Sequence, residues 1–297
     1  MIFITGASGK LGYCVYRMFD GRIIPLVRRR CGLKNEIVTS FDFEELKRIL
    51  KDARVIIHIA GSTEFWNRKS LWKGNVELTE KIVNSIPEKS LILFASSVSV
   101  YGSNPPMMAD ENTPINPDSE YARTKAIAEE IVRSHPNYVI FRIGPIYGEM
   151  YKIYFKFFSI MERGIVPVIG SGNNRIPFIY VRDVACCFVK AIKKDLRGIY
   201  IICGKPKRQR DIMIYSAKKL TNSFTVIRIP KNVAYASARV CELIGRGITR
   251  EHIKVLACDR VFKIEKAKKD LGFQPISIWS GIDRMIRAYR RNKYGKG

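Results

Sequence analysis

A tyrosine and a lysine in one predicted helix are the clearest candidates for acid–base chemistry. Residues 121–125 read Tyr-Ala-Arg-Thr-Lys, so Tyr121 and Lys125 are one helical turn apart on the same face. A free tyrosine has a pKa of about 10 and is a poor base at neutral pH. Because a nearby ammonium stabilises a phenolate, we expect Lys125 to lower the pKa of Tyr121 and to prepare it for proton exchange with a substrate oxygen.

A strand that ends in hydroxyl groups predicts a third member of this group. The apolar run 91–95 is followed by Ser96, Ser97 and Ser99, and ligands of α/β proteins collect at the carboxyl ends of strands. We expect Ser97 to donate a hydrogen bond to the reacting oxygen. Ser96 and Ser99 are equally consistent with an ordinary serine-rich turn.

A glycine-rich stretch between the first predicted strand and the first predicted helix indicates a phosphate site. Residues 5–12 read Thr-Gly-Ala-Ser-Gly-Lys-Leu-Gly. Glycines permit a tight turn and let backbone amides approach a pyrophosphate, and the helix N-terminus favours negative charge. We therefore predict dinucleotide binding through Gly6, Ser8, Gly9, Lys10, Leu11 and Gly12. A Walker-type site is disfavoured because no Gly-Lys-Ser/Thr ends the loop.

The end of the second predicted strand bears on the choice between NAD and NADP. NAD-binding proteins place an acidic residue there to hold the ribose hydroxyls, whereas this chain has Arg28, Arg29 and Arg30. The charge and the fork of donors on Arg28 suit a 2′-phosphate. The sequence therefore favours NADP, with a solvated basic turn and NAD as the alternative.

These candidate residues need an α/β framework to bring them together. Short β-rich runs alternate with longer helical patterns in the first half of the chain, which predicts a parallel sheet covered by helices on both faces. Right-handed crossovers make this a Rossmann-like doubly wound parallel sheet. We predict a dinucleotide-binding Rossmann domain at 1–147, to which 176–205 returns, and a smaller C-terminal substrate-binding lobe at 148–297.

Composition argues against several classes of protein. The chain has 297 residues, 46% of them hydrophobic, which suffices for a full core without disulfides or metals. The seven cysteines lack CxxC spacing and the three histidines are far apart, so we predict neither a disulfide framework nor a metal site. The sequence opens on a short strand instead of a signal peptide, and no apolar run approaches the roughly 18 residues of a membrane span. We expect a cytoplasmic protein.

Net charge is the one extreme feature of the composition. Lysine and arginine total 52 against 27 aspartates and glutamates, a formal net charge of +25. Such a surface attracts polyanions in general. Because the basic residues are spread along the chain without a low-complexity arm, we interpret them as a solvated surface and predict no specific nucleic-acid partner. The predicted partner is a small-molecule substrate that is phosphorylated or nucleotide-linked.

Taken in order, the motifs resemble those of the extended short-chain dehydrogenase/reductase superfamily. This superfamily holds nucleotide-sugar epimerases and dehydratases, 3β-hydroxysteroid dehydrogenases and dihydroflavonol reductases. The resemblance covers nearly the whole chain, through the segments 5–12, 58–61, 75–76, 96–102, 121–125, 142–148, 178–185 and 266–273. It implies that Tyr121 is the acid/base, that Lys125 also holds the nicotinamide ribose, and that Ser97 contacts the substrate oxygen.

The same resemblance implies further contacts and an assembly. The backbone of Ala60 and Gly61 is expected to lie along the cofactor, and Asn75 is expected to support the site. The cofactor carries the hydride in such enzymes. The resemblance also implies a homodimer formed through the helices near Val76 and Tyr121.

Departures from the family pattern bear on the substrate. Thr39 or Ser40 stands where the family has an aspartate that contacts adenine. Pro145 replaces the asparagine with which sugar-nucleotide enzymes meet the diphosphate, and Arg175 is displaced by one position from their diphosphate arginine. The last two changes resemble the hydroxysteroid dehydrogenase and flavonol reductase branches, although Arg175 or the run 207–210 can still bind a diphosphate.

Three functions follow from these observations. The leading hypothesis is an NAD(P)-dependent oxidoreductase that acts at a secondary alcohol or ketone, with Tyr121 moving the proton. The second is a nucleotide-sugar epimerase or dehydratase similar to UDP-glucose 4-epimerase, which holds NAD tightly; the Val-Tyr-Gly sequence at 100–102 favours it. The third is a non-catalytic cofactor-binding scaffold, which has no need of Ser97, Tyr121 and Lys125 together.

Overall fold

The computed structural model describes residues 1–20, 22–245 and 247–295, so residues 296–297 at the end of the predicted C-terminal lobe lie outside it. Its strands, in chain order, are β1 (Ile2–Thr5), β2 (Ile24–Val27), β3 (Ile37–Val38), β4 (Val55–His58), β5 (Leu91–Ser97), β6 (Tyr138–Ile143), β7 (Ile146–Tyr147), β8 (Ile165–Ile169), β9 (Arg175–Ile176), β10 (Ile179–Tyr180), β11 (Gly198–Ile202), β12 (Lys207–Arg208) and β13 (Thr225–Ile229). Its α-helices are α1 (Lys10–Met18), α2 (Phe43–Leu50), α3 (Arg68–Trp72), α4 (Leu78–Ser85), α5 (Glu120–Arg133), α6 (Ile153–Glu162), α7 (Val181–Lys193), α8 (Gln209–Leu220), α9 (Lys231–Leu243), α10 (Arg250–Ala257), α11 (Glu265–Leu271) and α12 (Ile278–Tyr294).

A seven-stranded parallel sheet organises the molecule, in the order β3-β2-β1-β4-β5-β6-β11. The strand order reverses direction between β1 and β4, which is the topological switch point where ligands of such sheets bind. Every residue of β4 is buried because helices cover both faces of the sheet, as parallel pairing requires. The predicted Rossmann-like doubly wound sheet is confirmed.

Each face of the sheet has its own hydrophobic cluster. On one face α1 and α7 pack on the strands, with Val15 and Phe188 fully buried. On the other face α2, α4 and α5 contribute Leu46, Ile82 and Val132. Asp42 caps α2, accepting from the Glu44 N–H at 3.1 Å, which fixes the start of this helix. The two layers hold the strand ends, and the loops after them, in fixed positions.

A third cluster lies in the C-terminal part of the chain. The β8–β13 pair, α6, α8 and α12 pack around Phe158, Met213 and Tyr289. Before this part is complete, the chain returns to the main sheet, where β11 pairs in parallel with β6 and α7 packs against α1. Among the described residues, no helix is long and apolar enough to cross a membrane.

Candidate functional site

The loop between β1 and α1 lies directly against the backbone that follows β4. Gly6 has φ +76°, and a Cβ at this position would lie 2.6 Å from the Ala60 backbone nitrogen. A Cβ at Gly12 would lie 2.0 Å from the Gly6 carbonyl oxygen. The Gly9 N–H donates to that same oxygen at 2.9 Å. Side chains are therefore excluded where the loop turns, and the backbone stays accessible.

The N-terminus of α1 offers free donors to an anion. No side chain of the described residues caps this helix, and its first turn holds no acidic residue. Ser8, Gly9 and Lys10 are exposed, whereas Leu11 is buried and anchors the helix in the core. Open backbone amides at a positive helix end fit a pyrophosphate group. The predicted loop residues thus form one cradle that suits a dinucleotide.

A buried hydrogen-bond chain joins the ends of β1 and β4 behind this cradle. His58 Nδ1 lies 2.7 Å from Thr5 Oγ1, and its Nε2 lies 3.0 Å from Thr79 Oγ1. Thr5 Oγ1 also accepts from the Ala60 N–H at 3.2 Å. Burial lowers the pKa of His58 to about 3, helped by the charge of Lys125. His58 is therefore a neutral structural bridge that fixes the Ala60 backbone beside the loop.

The buried imidazole predicts a loss of stability in acid. An unfolded histidine gains its proton near its usual pKa of about 6.5, whereas folded His58 stays neutral down to about 3. The unfolded state binds more protons in this window, so stability falls as pH decreases through it, by up to about 1.4 kcal/mol per pH unit. Urea unfolding across the window should show a steeper fall for the native chain than for His58→Gln. Equal slopes for the two proteins would contradict this account.

Asn75 links the loop after β4 to the helix that carries the candidate acid/base. Its Oδ1 accepts from the Ser62 N–H at 2.8 Å and lies beside Gly61, and its Nδ2 donates to Thr124 Oγ1 at 3.1 Å. Asn75 belongs to a π-helical segment, Lys73–Glu77, between α3 and α4. The π segment aims the buried amide into the site, a frequent use of such turns.

Ser97, Tyr121 and Lys125 meet at the carboxyl end of β5. Ser97 is the last residue of that strand, and Tyr121 is in the first turn of α5, with its ring 5.1 Å from the Phe65 ring. Buried Lys125 follows one turn later, and its Nζ donates to the Ala95 carbonyl at 2.6 Å. The structure therefore brings the three predicted side chains to the edge of the sheet that also carries the glycine loop.

The protonation of Tyr121 differs from the sequence-based expectation. Burial raises the pKa of Tyr121 to about 12, while a hydrogen bond with Ser97 lowers it and the charge of Glu251 raises it. The expected lowering by Lys125 is wrong for this structure, because the ammonium points to Ala95 and the Phe94 ring, 4.1 Å from its centroid. Burial also lowers the pKa of Lys125 to about 7. At neutral pH Tyr121 is thus a protonated phenol, suited to donating a proton.

Sequence reasoning missed a buried ion pair behind this group. Glu129 continues the helix face of Tyr121 and Lys125, and its carboxylate accepts from Arg142 Nη2 at 2.7 Å and Ser96 Oγ at 2.5 Å. The guanidinium also donates to the Tyr101 hydroxyl at 2.7 Å. The regular spacing of 121, 125 and 129 on one face was the available signal, but the partners come from other elements.

Arg28 lies where the sequence placed it, exposed at the end of β2, with its guanidinium 5.9 Å from the Phe41 ring. The carboxylate of Glu36, just before β3, accepts from backbone N–H groups of the preceding loop, including that of Leu33 at 3.2 Å. Buried Thr39 accepts from the Phe41 N–H at 3.0 Å. The Thr39 hydroxyl therefore stabilises the local turn before α2.

The Arg175 guanidinium already forms an ion pair with Asp259. It donates to both carboxylate oxygens of Asp259, at 3.0 and 2.7 Å. The Pro145 carbonyl accepts from the Ile179 N–H at 2.9 Å, so this residue serves the β6–β7 connection. Within 1–20, 22–245 and 247–295, no group of three His, Cys, Asp or Glu side chains could hold a metal ion.

The family is decided by a comparison with family models, of which the one for the NAD-dependent epimerase/dehydratase family matches residues 2–203. The chain belongs to this family. It is 30% identical over 237 residues to a Methanocaldococcus jannaschii protein named "Putative UDP-glucose 4-epimerase", covering 69% of this chain and 77% of that protein. It is also 24% identical to the mouse short-chain dehydrogenase/reductase family 42E member 1, covering 100% of this chain and 89% of the relative.

A further relative and two solved structures are also similar to this chain. An Arabidopsis thaliana 3β-hydroxysteroid-dehydrogenase/decarboxylase is 24% identical over 94% of this chain and 75% of its own length. Among solved structures, a Bacillus cereus UDP-glucuronic acid 4-epimerase in complex with NAD superposes with a TM-score of 0.77, at 18% identity, covering 100% of this chain and 98% of that chain. MoeE5 in complex with UDP-glucose and NAD gives 0.78 at 19% identity, covering 98% and 99%. These structures share the fold.

The predicted resemblance to the extended short-chain dehydrogenase/reductase superfamily is therefore confirmed, as is the prediction of an enzyme. The family is NAD-dependent, and the activity is that of a dehydrogenase or an epimerase. Relatives of both kinds match this chain, so the site residues have to distinguish them.

Proposed function

We propose that the protein is an NAD(P)-dependent oxidoreductase that acts at a secondary alcohol or ketone, with Tyr121 as the acid/base. The observation that carries the proposal is the meeting of Ser97, Tyr121 and Lys125 at the carboxyl end of β5. This sheet edge also bears the glycine loop after β1. The bound nicotinamide supplies or accepts the hydride.

Ser97, Tyr121 and Lys125 each have a separate role in the proposed reaction. Ser97 donates a hydrogen bond to the reacting oxygen and holds it beside the phenol. Tyr121, protonated because burial raises its pKa, donates its proton as a ketone becomes an alcohol, and recovers one in the reverse direction. Lys125 holds the nicotinamide ribose from its buried position on the same helix face.

Dinucleotide binding is assigned to residues on three neighbouring segments. The loop and the N-terminus of α1 hold the pyrophosphate, and the loop after β4 lies along the cofactor with Asn75 behind it. The proposed cofactor-binding residues are Gly6, Ser8, Gly9, Lys10, Leu11, Gly12, Arg28, Ala60, Gly61, Asn75, Tyr121 and Lys125. The proposed Rossmann domain, 1–147 with 176–205, contains all of them, and residues 148–297 outside this return form the proposed substrate-binding lobe.

Epimerisation of a nucleotide sugar is the second candidate, favoured by the relative that is 30% identical. Nicotinamide absorbance, followed with a panel of secondary alcohols and ketones, tests the first proposal, which predicts a stoichiometric change. Product analysis with UDP-glucose and no added cofactor tests the second. Turnover of the sugar nucleotide alone, with no net change in nicotinamide absorbance for any panel member, would overturn the oxidoreductase proposal in favour of the epimerase.

We propose NADP as the preferred cofactor, since the exposed Arg28 guanidinium stands at the end of β2 where a 2′-phosphate would lie. Arg28→Asp removes the cation and adds an anion. The ratio of kcat/KM with NADPH to that with NADH should then fall by about 10–100-fold, the value of one or two charge-assisted hydrogen bonds. Arg54→Asp, the same change at an exposed arginine before β4, should leave the ratio unchanged. An unaltered ratio in the Arg28 variant would remove it from this role.

Assembly and location complete the proposal. We place the protein in the cytoplasm as a homodimer formed through the region of α4 and α5. Light scattering at working concentration should give twice the mass of the chain, and a monomer mass would contradict the dimer.

A further inference from the structure

Arg260 belongs to the segment between α10 and α11, whose backbone is held by several contacts. Its backbone N–H donates to the Arg175 carbonyl in β9 at 2.9 Å. The preceding residue, Asp259, pairs with the Arg175 guanidinium at 2.7 Å. Two residues further on, Phe262 forms a parallel bridge with Ala109. The backbone is thus fixed on both sides of Arg260, which sets the origin of its side chain.

The Nε of Arg260 is buried without a hydrogen-bond partner among the described residues. Arg260 and Arg142 are equally buried, each 4% exposed. Arg142 donates to Glu129, Tyr101 and the Glu111 carbonyl. By contrast, Arg260 Nε has no hydrogen-bond partner in the described part of the chain, and no carboxylate there forms an ion pair with it. A buried charge without a partner is costly, so its retention calls for a ligand.

The strand register places this guanidinium near the candidate site. Ile143 pairs with Ser97 of β5 on one side and with Ile202 of β11 on the other. Cys203 follows Ile202, so it lies about 10 Å from Ser97 across the sheet edge, two strand spacings away. Phe262 packs in one cluster with Cys203 and Val98, the residue after Ser97. The segment of Arg260 therefore lies over the carboxyl ends of these strands.

Two neighbouring side chains show which way the guanidinium points. The charge of Arg260 lowers the pKa of Cys203 and of Tyr235, opposing the larger effect of burial, which raises both. Cys203 stands at the sheet edge and Tyr235 in α9. Glu251 influences both Tyr235 and Tyr121. The guanidinium thus lies close to Cys203 at the carboxyl end of β11 and to Tyr235 of α9, on the side of the sheet where β5 ends at Ser97.

We propose that Arg260 is the substrate-anion site of this enzyme and binds a carboxylate or phosphate group of the substrate. This inference rests on the proposed function, since it takes the substrate to react beside Ser97 and Tyr121. The guanidinium offers a planar fork of donors that matches either oxyanion. Arg175, the neighbouring candidate for the same task, is already paired with Asp259.

The experiment uses the full chain saturated with NADPH, which occupies the glycine loop, and adds inorganic pyrophosphate and malonate as separate probes at physiological ionic strength, where weak surface binding is screened. The unfolding midpoint is recorded against probe concentration for the native chain, Arg260→Met, Arg260→Lys and Arg239→Met. Arg239 is an exposed arginine of α9, so its replacement matches the change in net charge. Binding of NADH and NADPH is measured in parallel by fluorescence.

We expect at least one probe to raise the midpoint of the native chain and of Arg239→Met, with a half-saturating concentration at least about tenfold higher in Arg260→Met. Arg260→Lys, which keeps the charge without the fork, should respond at intermediate concentration and serves if the methionine variant does not fold. Without probe, Arg260→Met should unfold at the same or a higher temperature, because it removes an unpaired buried charge. A response to pyrophosphate alone assigns a phosphate, and a response to malonate alone a carboxylate.

Two outcomes would overturn the proposal: no response of the native chain to either probe, or the same response in the Arg260 variants. A lower midpoint of Arg260→Met with an unchanged response would make Arg260 a structural residue. Failure of the proposed function is a separate result, since it would appear as a native chain that binds neither dinucleotide, whatever the probes do.

Discussion

Tyr121→Phe should lower kcat by about 10²–10⁴-fold, the usual contribution of a positioned acid/base, and lower dinucleotide affinity by no more than about tenfold, the value of one hydrogen bond among the many contacts proposed for the cofactor. Phenylalanine preserves the edge contact with Phe65, whose ring centre lies 5.1 Å away, and removes only the hydroxyl. The proton donor is then absent while Ser97 and Lys125 keep their places. Steady-state kinetics and a fluorescence titration with the dinucleotide separate the two effects.

The control for this variant is Tyr138→Phe, the same chemical change at the first residue of β6, on the opposite edge of the sheet. It should turn over like the native enzyme. Near-normal activity of Tyr121→Phe would remove the phenol from the mechanism. A lost dinucleotide affinity would instead make Tyr121 mainly a cofactor contact.

The direction of the Tyr121 pKa shift adds a pH signature. Reduction needs the protonated phenol, and burial raises its pKa to about 12. The rate of reduction should therefore not fall through loss of this proton between neutral pH and that value. An alkaline limb near neutrality that vanishes in Tyr121→Phe would show that cofactor binding brings Lys125 to the phenol and lowers its pKa, as the sequence pattern suggested.

The parts of the site that could be predicted are those written in short stretches of sequence. The glycines of 5–12 lie between an apolar run and a helical pattern, so one short stretch predicted the dinucleotide loop, whereas the pairing of His58 with Thr5 became visible only in the register of the sheet. The alternation of apolar runs and helical patterns likewise implied the parallel sheet. Tyr121 and Lys125 are local to one helix, so their spacing sufficed.

What the sequence did not reveal depends on contacts between distant segments. Arg175 and Asp259 are separated by 84 positions, and no local pattern indicates that they pair. The π segment at Lys73–Glu77 arises where Asn75 reaches both Ser62 and Thr124. Each of these features is a tertiary effect that overrides local preference.

The direction in which the Lys125 ammonium points also depends on contacts with a distant segment. Spacing places Lys125 on the face of Tyr121, but the carbonyl of Ala95 and the ring of Phe94 decide where the charge lies. Those two residues belong to β5, packed against α5 by the fold. A motif therefore predicts which side chains share a region, and the packing around them decides their charge states.

Glu129→Gln should destabilise the protein by about 3–5 kcal/mol, because it leaves the Arg142 guanidinium buried without its counter-charge. Both side chains are less than 5% exposed, and they share two hydrogen bonds from Nε and one from Nη2. Asp195→Asn, which removes the acid of an ion pair whose carboxylate side chain is 81% exposed, should cost about 0–1 kcal/mol. Urea unfolding measures both.

The double variant Glu129→Met with Arg142→Leu distinguishes the loss of the ion pair itself from the cost of leaving one buried charge unpaired. Removing both charges avoids the unpaired guanidinium and should recover most of the lost stability. A cost below about 1 kcal/mol for Glu129→Gln alone would show that water or Tyr101 compensates Arg142 in full.

The same ion pair acts on catalysis through Lys125. Burial lowers the pKa of Lys125 to about 7, and the Glu129 carboxylate opposes this shift. Without that carboxylate the pKa of Lys125 falls further, and less of the lysine carries a charge at neutral pH. Glu129→Gln should therefore lose activity above the lowered pKa and regain part of it in mildly acidic buffer, where the ammonium returns. A purely structural role predicts a loss that does not depend on pH in this way, so the profile distinguishes the two.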